Sequence, residues 1–394
     1  MSGVSRSSMR STKSSAKSKA PRKHAGKAAG AGFRSEFVDR LFMREALELA
    51  ARARGRTSPN PMVGCVIVRD GAILSSGYHE KAGRDHAEVV ALKKLVARGV
   101  SASGATAYVT LEPCDHVGRT GKCTEALIAA GIAKVICAMR DPNPLVSGRG
   151  LRHLKKAGIA TEVGVLEDEA RKLNRVYIKW ITTGHPLVTI KAAVSLDGRI
   201  AAEGGDSRWI SGETSRTRAH HLRDQSDAIL VGAGTVAKDD PQLTARIPGG
   251  QNPLRVVVDG ALTISPRAKA VPGALVITST SAAADRVRKL ERAGAQVLRL
   301  PAKRGRIPMA AILDALGKRN VTSLLVEGGS EILGQFLPHA DRLVLFIAPK
   351  ILGSNGVPLF SIRGPARVKD AIALDEVEIS RMGVDLCIEG MVRV

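Results

Sequence analysis

The chain has 394 residues, of which 44% are hydrophobic and 25% are charged. This length favours two globular domains, and this composition is typical of a globular protein rather than a disordered or fibrous one. The sequence shows no run of about 18 uncharged apolar residues that would cross a membrane and no secretory signal. We therefore expect a cytoplasmic protein without a membrane partner.

The formal net charge of +23 is unevenly distributed along the chain. Residues 1–35 hold nine Lys or Arg and no acidic residue, which leaves +14 (23 − 9) for the remainder. A basic balance favours anionic ligands, namely nucleic acid, phosphorylated small molecules or a membrane surface. The five cysteines are an odd and sparse set that predicts no disulfide framework. Some of them are therefore candidates for metal chemistry.

The first 36 residues are rich in Ser, Lys, Ala and Gly, which predicts a disordered basic tail. A functional interpretation is an organelle transit peptide or a nucleic-acid-binding arm. The alternative is a solvated extension, or a start codon assigned too far upstream. From Phe37 to Ala50 apolar residues recur at helical spacing, so we expect the first amphipathic helix there.

Two α/β domains are predicted after the tail, over residues 37–184 and 185–394. In the first, Asp70-Gly71 between apolar runs predicts a hairpin. Helices near 86–96 and 125–130 then alternate with strands at 107–110 and 134–138, which is typical of a layered α/β domain. The second domain has six predicted strands, at 187–190, 228–231, 254–258, 275–277, 324–326 and 342–346.

The first domain contains a predicted metal site. His86 opens a helix, Cys114 follows a strand, and Cys123 stands at another helix start. One imidazole and two thiolates leave the fourth tetrahedral position of zinc open for water, which is typical of catalytic zinc. The motif differs from the usual Pro-Cys-x-x-Cys pattern of nucleobase deaminases, because eight residues separate its cysteines. Cys65 and Cys137 lie in apolar strands and are expected in the core.

Glu88 is the predicted catalytic carboxylate of this site. It lies two residues after His86 on the same helix, beside the metal without binding it. Zinc lowers the pKa of its water towards neutrality. Glu88 would carry a proton from that water to a ring nitrogen and to the leaving ammonia. The constellation therefore predicts hydrolytic deamination of a nitrogen heterocycle.

The stretch from Leu111 to Cys123 resembles the bifunctional pyrimidine deaminase/reductase family of riboflavin biosynthesis, and so do residues 60–64 and 141–150. The resemblance spans nearly everything after residue 37. It implies two three-layer α/β domains, an N-terminal one with a cytidine-deaminase-like fold and a C-terminal one with a dihydrofolate-reductase-like fold. It also implies Zn²⁺ and NADPH as cofactors.

The resemblance further implies a phosphorylated pyrimidine substrate, 2,5-diamino-6-ribosylamino-4(3H)-pyrimidinone 5′-phosphate, deaminated at ring position 2. The residues expected to contact it in the first domain are Asn60, His116, Arg119, Asp141 and Asn143. Amides suit the pyrimidine edge or ribose and loop cations suit the phosphate, although an Asn beside a proline is also explained by turn formation. Gly121-Lys122 replaces the more usual Pro-Pro of the family, which leaves the role of Lys122 open.

The second domain resembles the reductase half of the same family over residues 191–201, 207–211, 231–236 and 326–330. Gly328-Gly329 between a strand and a helix offers backbone N–H groups to a cofactor phosphate, but it is also a common turn. The domain lacks the Gly-x-Gly-x-x-Gly fingerprint, so the resemblance carries the NADPH assignment. The residues that it places against NADPH are Ala193, Trp209, Thr235, Asp239, Gly329, Ser330, Glu331, Ile332, Leu333, Gly334 and Gln335.

The same resemblance assigns substrate contacts in the second domain to Ser207, Arg223, Leu243, Arg246 and Glu327. The two arginines suit a ribose phosphate, because guanidinium groups bind phosphate oxygens in pairs. Lys191 and Glu327 are the candidates to assist proton delivery while hydride reduces the open-chain ribose carbonyl or imine. The hydride chemistry itself belongs to the cofactor.

The sequence also suggests two alternative functions. A nucleic-acid cytosine or adenosine deaminase would use the basic tail to hold RNA or DNA, but aromatic residues, on which single-strand binders rely, make up only 3% of the chain. A non-enzymatic RNA-binding protein is disfavoured by the intact set of His86, Glu88, Cys114 and Cys123. We expect no nucleic-acid partner and a homo-oligomer, either a dimer or a tetramer.

Overall fold

The computed structural model describes Gly3, residues 26–115 and residues 121–393, with the backbone alone over residues 26–35. The predicted substrate contacts His116 and Arg119 lie outside the described residues, as does most of the predicted tail. Over the described ranges, every helix is too short or too polar to cross a membrane.

The first half of the chain forms a five-stranded sheet in the order β2-β1-β3-β4-β5. Strands β3, β4 and β5 run parallel, and β1 pairs antiparallel with β2 and β3. The elements of this half are α1 (Gly26–Ala51), β1 (Gly64–Arg69), β2 (Ala72–Tyr78), α2 (Ala87–Ala97), β3 (Thr106–Val109), α3 (Cys123–Ala129), β4 (Lys134–Cys137), α4 (Arg149–Lys156), β5 (Ala160–Val163), α5 (Glu167–Leu173) and α6 (Arg175–Thr183).

Both faces of this sheet are buried. Cys65 and Ile67 of β1 pack towards α2, α3 and α4, whereas Val66 and Val68 pack towards α1 and α5. Because side chains alternate along a strand, a strand buried on both faces reads as an unbroken apolar run. The half is therefore a three-layer α/β unit, as predicted.

Two local predictions have different outcomes. The hairpin is confirmed, since Asp70 (φ 54°) and Gly71 (φ 76°) both adopt the left-handed conformation that a two-residue turn requires. The first helix, however, begins at Gly26 and not at Phe37. Residues 26–36 were assigned to the tail by composition, and their three glycines offset the helix propensity of their three alanines, so local propensity does not explain this extension.

The second half forms a nine-stranded sheet in the order β11-β10-β9-β8-β12-β6-β13-β16-β15. The first seven strands of this order are parallel, and β13-β16-β15 are antiparallel. Its elements are β6 (Leu187–Ser195), β7 (Arg199–Ala201), α7 (Glu213–Asp224), β8 (Ala228–Gly232), α8 (Ala233–Asp239), β9 (Leu254–Val258), β10 (Leu275–Ser279), α9 (Ala284–Arg292), β11 (Gln296–Leu300), α10 (Met309–Gly317), β12 (Ser323–Val326), α11 (Ser330–Phe336), β13 (Arg342–Ala348), β14 (Val357–Pro358), β15 (Ala373–Met382) and β16 (Asp385–Arg393).

This larger sheet also separates two helical layers. One core joins the sheet to α10 and α11, and the other joins it to α7, α8 and α9. All six strands predicted for this half are present, and the α/β class with two three-layer units is confirmed. Ligands bind beyond the carboxyl ends of parallel strands in such sheets. The segments after β8, β9, β10 and β12 therefore locate the candidate cleft.

The two halves are held together by polar contacts. Arg56 donates two hydrogen bonds to the Asp224 carboxylate at 2.9 and 3.0 Å, and the Ser58 hydroxyl donates to Asp227 at 2.8 Å. Lys179 forms an ion pair with Asp341. These contacts place the segment before β1 directly against α7 and the start of β8.

Candidate metal centre and ligand cleft

The three predicted metal ligands meet at one point in the first half. His86 is the N-cap residue of α2, Cys114 follows β3, and Cys123 is the first residue of α3. His86 Nδ1 lies 3.2 Å from Cys123 Sγ and 3.4 Å from Cys114 Sγ, and the three ligand atoms lie within 4.8 Å of one another. Ligand atoms around a tetrahedral zinc stand about 3.6 to 3.8 Å apart. One nitrogen and two sulfurs at this spacing fit zinc.

Glu88 lies beside this group on the first turn of α2, and only 2% of it is exposed. Burial, reinforced by the charge of Cys114, raises the pKa of Glu88 to about 7. A bound dication would offset the thiolate charge, so the contribution from burial is the one that persists. A carboxyl group with a pKa near neutrality can both accept and donate a proton.

Cys114 is disposed to act as a thiolate ligand. A hydrogen bond from the Cys123 thiol, together with one from His86, lowers the pKa of Cys114 to about 4 despite burial. The remaining two cysteines of this half behave differently. Cys65 and Cys137 are completely buried in the core, where burial raises the pKa of each thiol. Their predicted role as core residues agrees with this placement.

His79, which no sequence motif predicted, joins Asn60 to the metal ligands. The ring of His79 contacts that of His86 edge to face, with centroids 5.3 Å apart. Its Nδ1 lies 3.0 Å from the Asp85 carbonyl, and its Nε2 lies 3.2 Å from Asn60 Nδ2. Burial lowers the pKa of His79, so the ring is neutral, donates to the carbonyl and accepts from the amide. No local motif marks this residue, because the hairpin alone brings it to Asn60.

Asp141 and Asn143 lie in the loop between β4 and α4. Asp141 accepts hydrogen bonds from Tyr177 and from the Asn143 backbone, and Asn143 accepts one from the Leu145 backbone at 3.0 Å. The turn-forming role considered for Asn143 is therefore present. The buried carboxylate of Glu112, two residues before Cys114, accepts from the Asp141 backbone at 3.3 Å and so holds this loop beside the metal ligands.

The second half contains a cleft of about 1440 Å³ at the carboxyl ends of the parallel strands. All five predicted substrate residues of this half line it, as does Lys191. Nine of the eleven predicted NADPH residues also line it: Ala193, Trp209, Thr235, Asp239, Gly329, Ser330, Glu331, Ile332 and Gln335. Leu333 and Gly334 lie outside its lining. Leu333 faces the core, and Ser361 and Ile362 occupy the space beside the Gly334 Cα.

A buried ion cluster lies inside this cleft. Arg223 donates two hydrogen bonds to the Glu327 carboxylate at 2.8 and 3.0 Å, and Lys191 Nζ lies 3.7 Å from the same group. Although burial opposes ionisation, Lys191 and Arg223 lower the pKa of Glu327 to about 2. Glu327 is therefore ionised at neutral pH.

Four other side chains shape the cleft. The Arg216 guanidinium stacks over the Trp209 ring at 4.7 Å, a contact that the sequence did not predict. Within the described part of the chain, the exposed Arg246 guanidinium has no hydrogen-bond or ion-pair partner, and His220 bonds the Arg246 backbone at 3.3 Å. Arg246 is thus available to an anionic ligand, whereas the Arg223 guanidinium is occupied by Glu327.

Both halves match known family models. The model of the cytidine and deoxycytidylate deaminase zinc-binding region matches residues 37–139, and that of the RibD C-terminal domain matches residues 186–388. The riboflavin biosynthesis protein RibD of Aquifex aeolicus is 43% identical over 89% of this chain and 98% of its own length. That of Escherichia coli is 41% identical over the same shares.

Solved structures agree with these matches. A diaminohydroxyphosphoribosylaminopyrimidine deaminase/5-amino-6-(5-phosphoribosylamino)uracil reductase from Thermotoga maritima superposes with a TM-score of 0.81 at 37% identity. RibD of Acinetobacter baumannii superposes with a TM-score of 0.83 at 35% identity. Each comparison covers 91% of this chain and 100% of the other. Since both halves match such relatives over nearly their whole length, the chain belongs to the RibD family of riboflavin biosynthesis proteins.

Proposed function

We propose that this chain catalyses two successive steps of riboflavin biosynthesis. Residues 37–184 form the zinc-dependent deaminase domain, and residues 185–394 form the NADPH-dependent reductase domain. The Thermotoga maritima relative carries both activities in its name. The observation that carries the proposal is the convergence of His86, Cys114 and Cys123 beside buried Glu88, in the same chain as a cleft lined by Lys191 and Glu327.

The deaminase substrate is the phosphorylated diaminopyrimidine. Zinc held by His86, Cys114 and Cys123 would supply an activated water at neutral pH. Glu88 would carry two protons in turn, the first from the water to a ring nitrogen as hydroxide adds to the ring carbon, and the second from the new hydroxyl group to the amine. The carbon–nitrogen bond then breaks, which leaves a carbonyl group and releases ammonia. Asn60, whose amide contacts His79, is the proposed contact for the pyrimidine edge. Asp141 and Asn143 remain proposed substrate contacts, as do His116 and Arg119.

The reductase step needs a hydride and a proton. NADPH would supply the hydride, which converts the ribosyl carbonyl or imine to the ribityl chain. We assign proton delivery to Lys191, since Glu327 is ionised and holds the lysine in place. Arg223 positions Glu327, and the unpaired Arg246 suits the substrate phosphate. Ser207 and Leu243 complete the proposed substrate contacts. The nine cleft residues that were predicted to contact NADPH remain the proposed cofactor contacts.

The alternative, a nucleic-acid deaminase with a basic tail, is not favoured. Relatives that match both halves support a small phosphorylated pyrimidine as the substrate. None of the five cysteines forms a disulfide, which is typical of a reducing compartment and supports the cytoplasmic location.

A homodimer is the proposed assembly. β15 is the last strand of the nine-stranded sheet, so one of its edges is unpaired, and its residues from Glu376 to Arg381 are exposed on both faces. The exposed residues include Val377 and Ile379. An exposed apolar edge strand readily pairs with another strand. A second copy of the chain would cover it.

One assay tests the two activities together. Purified protein is incubated with the diaminopyrimidine ribotide, with and without NADPH, while ammonia release and NADPH oxidation are followed. We expect ammonia without cofactor, and NADPH oxidation only after deamination. Oxidation of NADPH at full rate before any ammonia is released would contradict this order, and no release of ammonia would contradict the deaminase assignment.

A further inference from the structure

Two side chains connect the ends of the loop that carries the cysteine ligands. Asp115 immediately follows Cys114, and Thr124 immediately follows Cys123. The Thr124 hydroxyl donates to Asp115 Oδ1 at 2.9 Å, and the Thr124 backbone N–H donates to the Cys114 carbonyl at 3.3 Å. The residues after both ligands are therefore joined directly.

A third element fixes this connection from outside the loop. His153 of α4 places Nδ1 2.7 Å from the same Asp115 oxygen. Lys122 Nζ lies farther from it, at 3.4 Å. The two side chains are about equally exposed, so the shorter distance makes His153 the closer partner of Asp115. Asp115, Thr124 and His153 therefore form the principal contact, which we call the loop clamp.

The burial of Thr124 makes the clamp specific. Thr124 is completely buried, and a buried hydroxyl group without a hydrogen-bond partner destabilises the fold. Asp115 does not serve as a helix cap, since Lys122 is the N-cap residue of α3 and makes no side-chain cap bond. The carboxylate instead spans from the Cys114 segment to the Cys123 segment and to α4.

We propose that the loop clamp positions Cys114 and Cys123 for zinc. Eight residues separate the two thiols, so bringing them together costs loop-closure entropy that the clamp offsets before the metal binds. Hydrogen-bonding partners behind metal ligands typically change metal affinity by about 10- to 100-fold. This inference rests on the proposed function, because it takes zinc as the resident metal.

The test is the zinc affinity of the full-length protein, measured by competition with a chromogenic chelator. Thr124→Val keeps the volume of the side chain and removes the hydroxyl, whereas Thr124→Ser keeps the hydroxyl. We expect Thr124→Val and Asp115→Ala to weaken zinc binding by about tenfold, and Thr124→Ser to match the wild type. Asp168→Ala, which removes an exposed carboxylate of α5, is the matched control.

Two further measurements separate positioning from general stability. The melting temperature of the chelator-treated protein reports the fold alone, and a positioning role predicts a loss of zinc affinity larger than that loss of stability explains. In the Asp115→Ala/Thr124→Val double variant the effects should not add, because the two residues share one contact.

The outcomes distinguish the two proposals. If wild-type protein binds no stoichiometric zinc, the proposed deaminase function fails. If wild-type protein binds zinc tightly and Thr124→Val binds it equally well, the function stands and the loop clamp is rejected. Additive losses in the double variant would also reject it.

Discussion

At the residue scale, Glu88 separates metal binding from proton transfer. Glu88→Gln keeps the shape of the side chain and leaves all three ligands in place, so we expect stoichiometric zinc by elemental analysis. Ammonia release should fall by about 10²- to 10⁴-fold, because the variant cannot carry a proton. Glu80→Gln, which changes an exposed carboxylate nearby, should keep wild-type turnover. Wild-type turnover in a zinc-loaded Glu88→Gln would remove the proton-carrier role.

Arg246 provides the corresponding test in the reductase cleft. Its guanidinium is exposed to the cleft and lacks a partner among the described residues, so Arg246→Ala should leave the fold intact. We expect the KM for the deaminated ribotide to rise at least tenfold, with little change in the KM for NADPH, since the charged contact is made to the substrate phosphate. Arg267→Ala, at an exposed site outside the cleft, is the control. An unchanged ribotide KM excludes Arg246 from the substrate site.

At the scale of elements, patterns that are local in sequence were predictable. The β1–β2 hairpin follows from Asp70-Gly71, and both the metal ligands and the reductase cleft residues stand at the ends of predicted elements. The backward extension of α1 and the pair β15–β16 were not predicted. β15 could not be predicted because it is exposed over most of its length and shows no clear alternation of apolar and polar residues.

The exposed strand β15 makes a prediction at this scale. Ile379, of which 67% is exposed, lies in the edge strand β15, whose outer edge is unpaired. Ile379→Asp places a charge in the proposed apolar contact, so the dimer should dissociate to monomers at micromolar concentration in sedimentation velocity experiments. Val96→Asp, at a 79% exposed site at the end of α2, should remain dimeric. A monomeric wild type, or a dimer that tolerates Ile379→Asp, would refute the interface.

At the scale of the whole molecule, direct contacts between the two halves connect the metal centre to the reductase cleft. Arg56 and Ser58 lie shortly before the proposed pyrimidine contact Asn60, and they bond to Asp224 and Asp227 of the other half. Partners about 170 residues apart in sequence leave no local pattern, so neither the docking nor the role of His79 was predictable. The segment that carries Asn60 thus contacts the C-terminal end of α7, the helix that contains Arg223.

Because the two halves are in contact, we expect a ligand that binds one half to stabilise the other half against thermal unfolding. NADPH at 100 times its Kd stabilises the folded reductase by about 2.7 kcal/mol. If the halves unfold together, NADPH should also raise the temperature at which the heated protein releases zinc to a chelating dye. Arg56→Met/Ser58→Ala removes the docking bonds of this segment and leaves the Lys179–Asp341 pair, so the effect of NADPH on zinc release should become smaller. Arg171→Met, which breaks only an exposed pair within α5, should preserve the effect. Zinc release that ignores NADPH in the wild type would show that the halves unfold independently despite these contacts.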